Sequence, residues 1–305
     1  MIEVKQLVKN YNEVKAVKAI DFTINHGEVV GFLGANGAGK STTLKILAGY
    51  LTPTAGEVYI DGLNIEHDSY EIKKIVGYLP ESNPLYHEMY VYDLLKFTAS
   101  TRNIFGNDFK QALQKVTNQC GLKDVIHKTV GECSKGYKQR VGLACAMIHD
   151  PKILILDEPV SGLDPNQIVE IRKLIKSLGK EKLVLMSSHI LQEIEATVDR
   201  IIIIDHGKIV ADGTTKKLMN QFMGKIQLTL EVLDMTDAKI TKFKDNFKNA
   251  KITKLKDYHK IILEYKKKND SRLDIFNFIV KNKLSLIEMS TKTANLEDIF
   301  RKLTH

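Results

Sequence analysis

Gly34 to Thr42 reads GANGAGKST. Gly34, Gly37 and Gly39 let a backbone curl so that successive N–H groups point inward at phosphate oxygens. Ala35, Asn36 and Ala38 fill the turn between them. Lys40 then supplies a cation to the outer phosphates of a polyphosphate, and the Ser41 hydroxyl, with Thr42 beside it, is placed to ligate Mg²⁺. A second stretch, ILILDEP (153–159), ends an apolar run in two carboxylates. Asp157 is expected to hold a magnesium-bound water, and Glu158 to polarise an attacking one. Two carboxylates serve better than one here, because a group committed to a metal is a poor proton acceptor. A third stretch, CSKGYKQR (133–140), opens the apolar run VGLACAMI with a Ser-x-Gly beside basic residues. As chemistry, the first two together describe a site that hydrolyses a polyphosphate, and the third raises the question of what its Ser-x-Gly would hold.

The flanking elements are those such a site needs. EVVGFL (28–33) reads as a strand entering the glycine loop, and STTLKILAG as the helix leaving it, whose N-terminal partial charge favours an anion. KILIL (152–156), KLVLM (182–186) and RIIII (200–204) are dense apolar runs without polar alternation, which suits a parallel sheet covered on both faces. NQIVEIRKLIKSLG (166–179) has helical spacing, and DHGKIVADG (205–213) reads as a hairpin turn and edge strand. After about residue 220 the order becomes β-α-β-β-α-β, as in a ferredoxin-like α+β fold, followed by a helix, ANLEDIFRKLT, of docking type.

The chain has 305 residues, 43% of them hydrophobic and 27% charged, with a formal net charge of +8. That is globular composition, with room for more than one domain. The basic excess is concentrated at the end: residues 221–305 hold 18 Lys and Arg against 11 Asp and Glu. A solvated face explains it more simply than a patch for lipid or nucleic acid, since no aromatics interleave the lysines. Cys120, Cys133 and Cys145 form no CxxC pair and are expected to be reduced, buried or half-buried apolar side chains. The N-terminus has no signal-peptide pattern, and no apolar run approaches the roughly 20 residues that span a bilayer. The chain is therefore expected to be cytosolic.

The glycine loop, LDEP, SGLD (161–164) and SSHI (187–190), in that order, resemble the ATPase subunit of an ABC transporter over about residues 1–215. YLPESNPLYHEMYVYDLL, SKGYKQRVGLA and IHDPKILILDEP are similar to the gliding-motility-associated branch, and LEDIF to exporter ATPases. The resemblance implies a P-loop NTPase fold of the α/β class. Residues 1–220 would form an ABC ATPase domain with a RecA-like core, an antiparallel β subdomain and a helical subdomain at about 82–150. Residues 221–305 would form a small C-terminal α+β accessory domain, either dimer-stabilising or regulatory.

The resemblance also assigns roles. Tyr11 would stack on adenine; Ser41, Glu81 and Asp157 would serve the metal; Lys40, Glu158 and His189 would act in catalysis. Ser134, Lys135, Gly136 and Tyr137 would be the signature motif, reaching across a head-to-tail homodimer to the partner's ATP, and Asp164 would lie in the loop that crosses to the partner. The common form of that signature is LSGGQ; here Cys133, Lys135 and Tyr137 depart from it while Ser134 and Gly136 are kept. Lys135 would either pair with the γ-phosphate or decorate the rim. Glu81 stands where many relatives have glutamine; the extra carboxylate would either strengthen Mg²⁺ binding or disfavour the triphosphate.

Leu85, Tyr86, Met89 and Tyr90 would line the docking groove for a separate transmembrane permease, which places the chain in the cytoplasm, peripheral on the inner face of the membrane. ATP and Mg²⁺ are the implied cofactors, and no nucleic-acid partner is expected. A competing reading is a soluble non-transport ABC ATPase acting on nucleic acid or ribosomes. It calls for paired ATPase units or a long coiled-coil insertion, whereas this sequence has one set of motifs and no heptad run.

Overall fold

The computed structural model describes residues 1–222, 226–265, 270–293 and 296–304. They divide into a larger unit over Met1–Thr215 together with Leu303 and Thr304, and a smaller one over Lys216–Lys302.

The larger unit begins with a long antiparallel hairpin, β1 (Ile2–Tyr11) and β2 (Val14–Ile24), and then β3 (Val29–Leu33), which feeds the helix α1 (Lys40–Leu47). β4 (Ala55–Ile60), β5 (Leu63–Asn64), α2 (Ser69–Ile75) and β6 (Val76–Leu79) follow. Three helices, α3 (Val91–Ser100), α4 (Gly106–Cys120) and α5 (Lys135–Met147), intervene before β7 (Ile153–Leu156). The unit is completed by α6 (Pro165–Leu178), β8 (Leu183–Ser188), α7 (Leu191–Glu195), β9 (Arg200–Asp205) and β10 (Lys208–Gly213).

Two sheets result. β2-β1-β4-β5 is antiparallel throughout, whereas β10-β9-β3-β8-β7-β6 is parallel except for its edge strand β10. β3, β7 and β8 are buried at every position, which is why their sequences show no alternation. One apolar core joins both sheets to α1, with Ile2, Leu7 and Val58 from the antiparallel sheet, Phe32, Ile155 and Ile202 from the parallel one, and Leu44 and Leu47 from the helix. Each such side chain stabilises the fold by roughly 1.5–3 kcal/mol when fully buried. The phosphate loop is thereby anchored at both ends.

α6 starts where the chemistry of its first residues dictates. The Asp164 carboxylate accepts from the amides of Asn166 and Gln167, both at 3.0 Å, and Pro165 occupies the first turn. Ile171, Ile175 and Leu178, at helical spacing, face inward.

The smaller unit contains α8 (Thr215–Phe222), β11 (Ile226–Leu233), α9 (Asp237–Asn246), β12 (Lys251–Lys254), β13 (His259–Tyr265), α10 (Arg272–Lys281), β14 (Ser285–Thr293) and α11 (Leu296–Leu303). Its strands stand in the order β12-β13-β11-β14, all antiparallel. Leu228, Leu230, Ile261 and Ile275 form a separate core with a cluster of three rings, Phe243, Phe247 and Phe278, at centroid distances of 4.7–5.8 Å. Of the segment ANLEDIFRKLT, Ala294 and Asn295 lie outside the described residues. No described helix is long and apolar enough to cross a membrane.

Candidate nucleotide site

β3 delivers the chain into the 34–42 loop, and the packing explains two of its glycines. A Cβ on Gly34 would run into the Ile204 carbonyl oxygen, and one on Gly39 would stand 2.6 Å from the Ala16 carbonyl oxygen. Gly39 also has a φ of 108°, open to glycine, and forms the N-cap of α1. Lys40, only 5% exposed, folds back into the loop and donates to the carbonyls of Gly34 (2.8 Å) and Ala35 (3.2 Å). Tyr11 lies at the end of β1, paired with Val14, on the hairpin whose Ala16 packs against Gly39. Its ring is 43% exposed and Lys9 lies over it, 5.5 Å from the centroid.

Asp157 and Glu158 follow β7 directly and are 1% and 4% exposed. Asp157 accepts from Ser187 Oγ (2.6 Å) and from Ser41 Oγ (3.2 Å), and its own amide donates to the Leu79 carbonyl (2.8 Å). Glu158 takes a φ of 50°, rare for a residue with a side chain, and its amide donates to Ser187 Oγ at 2.9 Å. That turn aims its carboxylate between two groups. Lys40 Nζ is 3.5 Å from Oε1, and His189 Nδ1 is 3.0 Å from Oε2. Three segments thus converge on one point: the glycine loop, the end of β7, and the end of β8 with His189 just beyond it.

A cleft of about 540 Å³ opens over this point, with Ser41, Asp157 and Glu158 on one wall and Glu81, Asn83 and Lys135 on others. Among the described residues no cluster of three or more His, Cys, Asp or Glu forms a metal cage. The adjacent Ser41 and Asp157 oxygens are nevertheless the donor set that suits Mg²⁺, which uses one or two protein oxygens and completes its shell with phosphate and water. Glu81 is exposed on the wall of the same cleft.

The signature turn sits at the start of α5. Ser134 caps the helix, accepting from the Tyr137 amide at 3.3 Å. The Arg140 guanidinium lies over the Tyr137 ring, 5.7 Å from its centroid, and pairs with Glu170 of α6. Lys135 lies across Gly162, in the space a side chain there would need. Asp164, in the same loop, has one carboxylate oxygen occupied by the α6 cap.

A second cleft, of about 430 Å³, is lined by Tyr78, Leu85, Tyr86 and Phe97. Tyr86 and Tyr90 are 60% and 51% exposed, and Tyr86 meets Phe97 edge-on at 6.0 Å. Asn83, which joins the two clefts, donates to the Lys138 carbonyl (2.9 Å) and fills the space beside Gly142. Asn83, Gln167 and Ser187 have structural parts at this site that the motifs alone did not assign. The SSHI string points to the segment of Ser187 only through its histidine. Cys120, Cys133 and Cys145 are free thiols, and burial pushes Cys120 up to about 12 and Cys145 up to about 11, so these two behave as apolar side chains.

The ABC transporter family model matches residues 17–161. The chain is 32% identical to an uncharacterized ABC transporter ATP-binding protein, YxlF, of Bacillus subtilis (strain 168), over 100% of both chains. It is 33% identical to the bacitracin transport ATP-binding protein BcrA of Bacillus licheniformis, over 99% of this chain and 97% of that one. A solved dimeric post-hydrolysis state of the ATP-binding cassette MJ0796, bound to ADP and Pi, matches with a TM-score of 0.64 at 25% identity, over 70% of this chain and 98% of that one. The glycine loop, the Asp-Glu pair and the two-sheet core define an ABC-type ATPase. The chain belongs to the ABC transporter family, as an ATP-binding and ATP-hydrolysing subunit.

Proposed function

We propose that the chain works as a head-to-tail homodimer closing on two ATP molecules, each held by one glycine loop and capped by the partner's signature turn. The carrying observation is the setting of Glu158, buried beside the Ser41–Asp157 pair with Lys40 and His189 at its two oxygens. In this reading the amides of residues 34–42 and Lys40 hold the phosphates, and Tyr11 stacks on adenine. Ser41 and Asp157 hold Mg²⁺, with Glu81 at the rim; when bound, the ion neutralises phosphate charge. Glu158 accepts a proton from the attacking water, and His189 orients Glu158 and reaches toward the γ-phosphate. Ser134 and Gly136 face the partner's nucleotide, flanked by Lys135 and Tyr137, and Asp164 lies where the two subunits cross.

The cleft at Leu85, Tyr86 and Phe97 receives a separate transmembrane permease, which holds the protein peripherally on the cytoplasmic face. Likeness to a bacitracin transport protein supports an exporter. Residues 221–305 form a ferredoxin-like accessory domain.

The test is the mass in solution of Glu158→Gln with and without ATP. An ATP-dependent shift from monomer to dimer, abolished by Ser134→Arg, supports the reading. A mass that ignores ATP overturns it.

A further inference from the structure

The signature turn is built onto the dimer loop of its own chain. Gly136 is buried although Ser134 and Lys135 just before it are exposed and Tyr137 after it is only half-buried. What buries it is Gln167, in the first turn of α6: a Cβ on Gly136 would stand 2.6 Å from Gln167 Cδ and 2.9 Å from its Oε1. The amide of Gln167 is itself fixed by Asp164 at 3.0 Å. On one side of this contact Lys135 lies across Gly162; on the other, Arg140 pairs with Glu170. Three contacts therefore run in register along one seam between 135–140 and 162–170.

We infer that Gln167 is a positioning residue for ATP hydrolysis, joining the signature turn and the 161–164 loop into one body. The inference rests on the dimer reading above only for its consequence. If both segments meet the partner, they must arrive together, and a seam made within the chain sets their spacing before closure. It also gives Gly136 a reason for being glycine that lies within its own subunit: its missing side chain is where Gln167 sits.

The two reasons predict different behaviour. In the Glu158→Gln background, Gly136→Ala is expected to reduce ATP-dependent dimer by about tenfold, since either the partner's phosphate or Gln167 must give way. Adding Gln167→Ala opens the space and is expected to restore at least half of the dimer. If the double variant is no better than Gly136→Ala alone, the glycine serves only the partner and the seam plays no part.

A second readout does not need the dimer. In the nucleotide-free chain, Gln167→Ala is expected to raise amide hydrogen exchange at 135–138 and 161–164 together, by roughly fivefold, with the rest of α5 and α6 unchanged. Exchange that rises in one segment alone, or in neither, overturns the inference. Should Glu158→Gln fail to dimerise while this paired rise is seen, the dimer reading fails and the seam stands. In steady state, Gln167→Ala should lower kcat with the KM for ATP unchanged, because it leaves the nucleotide's own loop intact.

Discussion

His189 Nδ1 stands 3.0 Å from Oε2 of Glu158, on the opposite side of that carboxylate from Lys40 Nζ at 3.5 Å. The pair joins the end of β7 to the residue just after β8, so a neighbouring strand supplies the orienting group. Glu158→Gln keeps the shape and removes the proton acceptor. ATP turnover should fall by about 10²–10⁴-fold, the usual worth of general-base catalysis. ATP binding should persist, because Lys40 retains its two carbonyl partners. Equilibrium binding of labelled ATP alongside steady-state turnover separates the effects; turnover within threefold of the parent would exclude Glu158 as the base.

Ser187 is fully buried and does two things with one hydroxyl: it donates to Asp157 and accepts from the Glu158 amide. Ser187→Ala leaves that amide without its partner and Asp157 free to turn. The cost should be about 1–3 kcal/mol of stability, as for other unsatisfied buried groups. The kcat should drop about tenfold, and the Mg²⁺ concentration for half-activity should rise. A metal titration of turnover checks this, and an unchanged titration curve would show that Asp157 is held well enough by its backbone.

How much of this could be read beforehand follows from where each interaction partner lies in the chain. The strand–loop–helix around Gly34–Thr42 and the strand ending in Asp157–Glu158 were legible because each is contiguous: spacing and burial pattern carry the information. The parts of Ser187, Asn83 and Gln167 were not. Ser187 meets Asp157 because β8 lies beside β7, and no periodicity states the order of strands in a sheet. Asn83 and Gln167 fill spaces beside Gly142 and Gly136, and a glycine in a sequence does not say what occupies its vacant side. Nor does the sequence name a cargo, since the ATP site is built to recognise phosphate.

Asp164 has two parts to play, and they separate cleanly. Its carboxylate caps α6 through the amides of Asn166 and Gln167, and in the proposed dimer it lies where the subunits cross. Asp164→Ala should cost about 1 kcal/mol of stability through the lost cap, while Asp164→Asn, which caps nearly as well, should cost little. Thermal unfolding of both variants, read beside turnover, tests the assignment. If Asp164→Asn keeps its Tm but loses turnover, the charge matters at the subunit crossing; if both properties are kept, capping is the whole role.

His149 gives the larger unit a pH dependence whose sign is fixed by its surroundings. The ring donates from Nε2 to the Val76 carbonyl at 3.1 Å. Burial, helped by the nearby Arg102, pushes it from 6.5 down to about 4. The unfolded chain therefore binds a proton that the folded chain refuses between those two values. Stability is complete above the unfolded value and is lost as the pH falls toward 4. At pH 5 the loss should be about 2 kcal/mol. His149→Gln can still donate to Val76 but cannot take up a proton, so its unfolding midpoint in urea should fall less than the parent's between pH 7.5 and pH 5. Parallel midpoints across that range would mean that burial does not keep the His149 ring neutral in the folded chain.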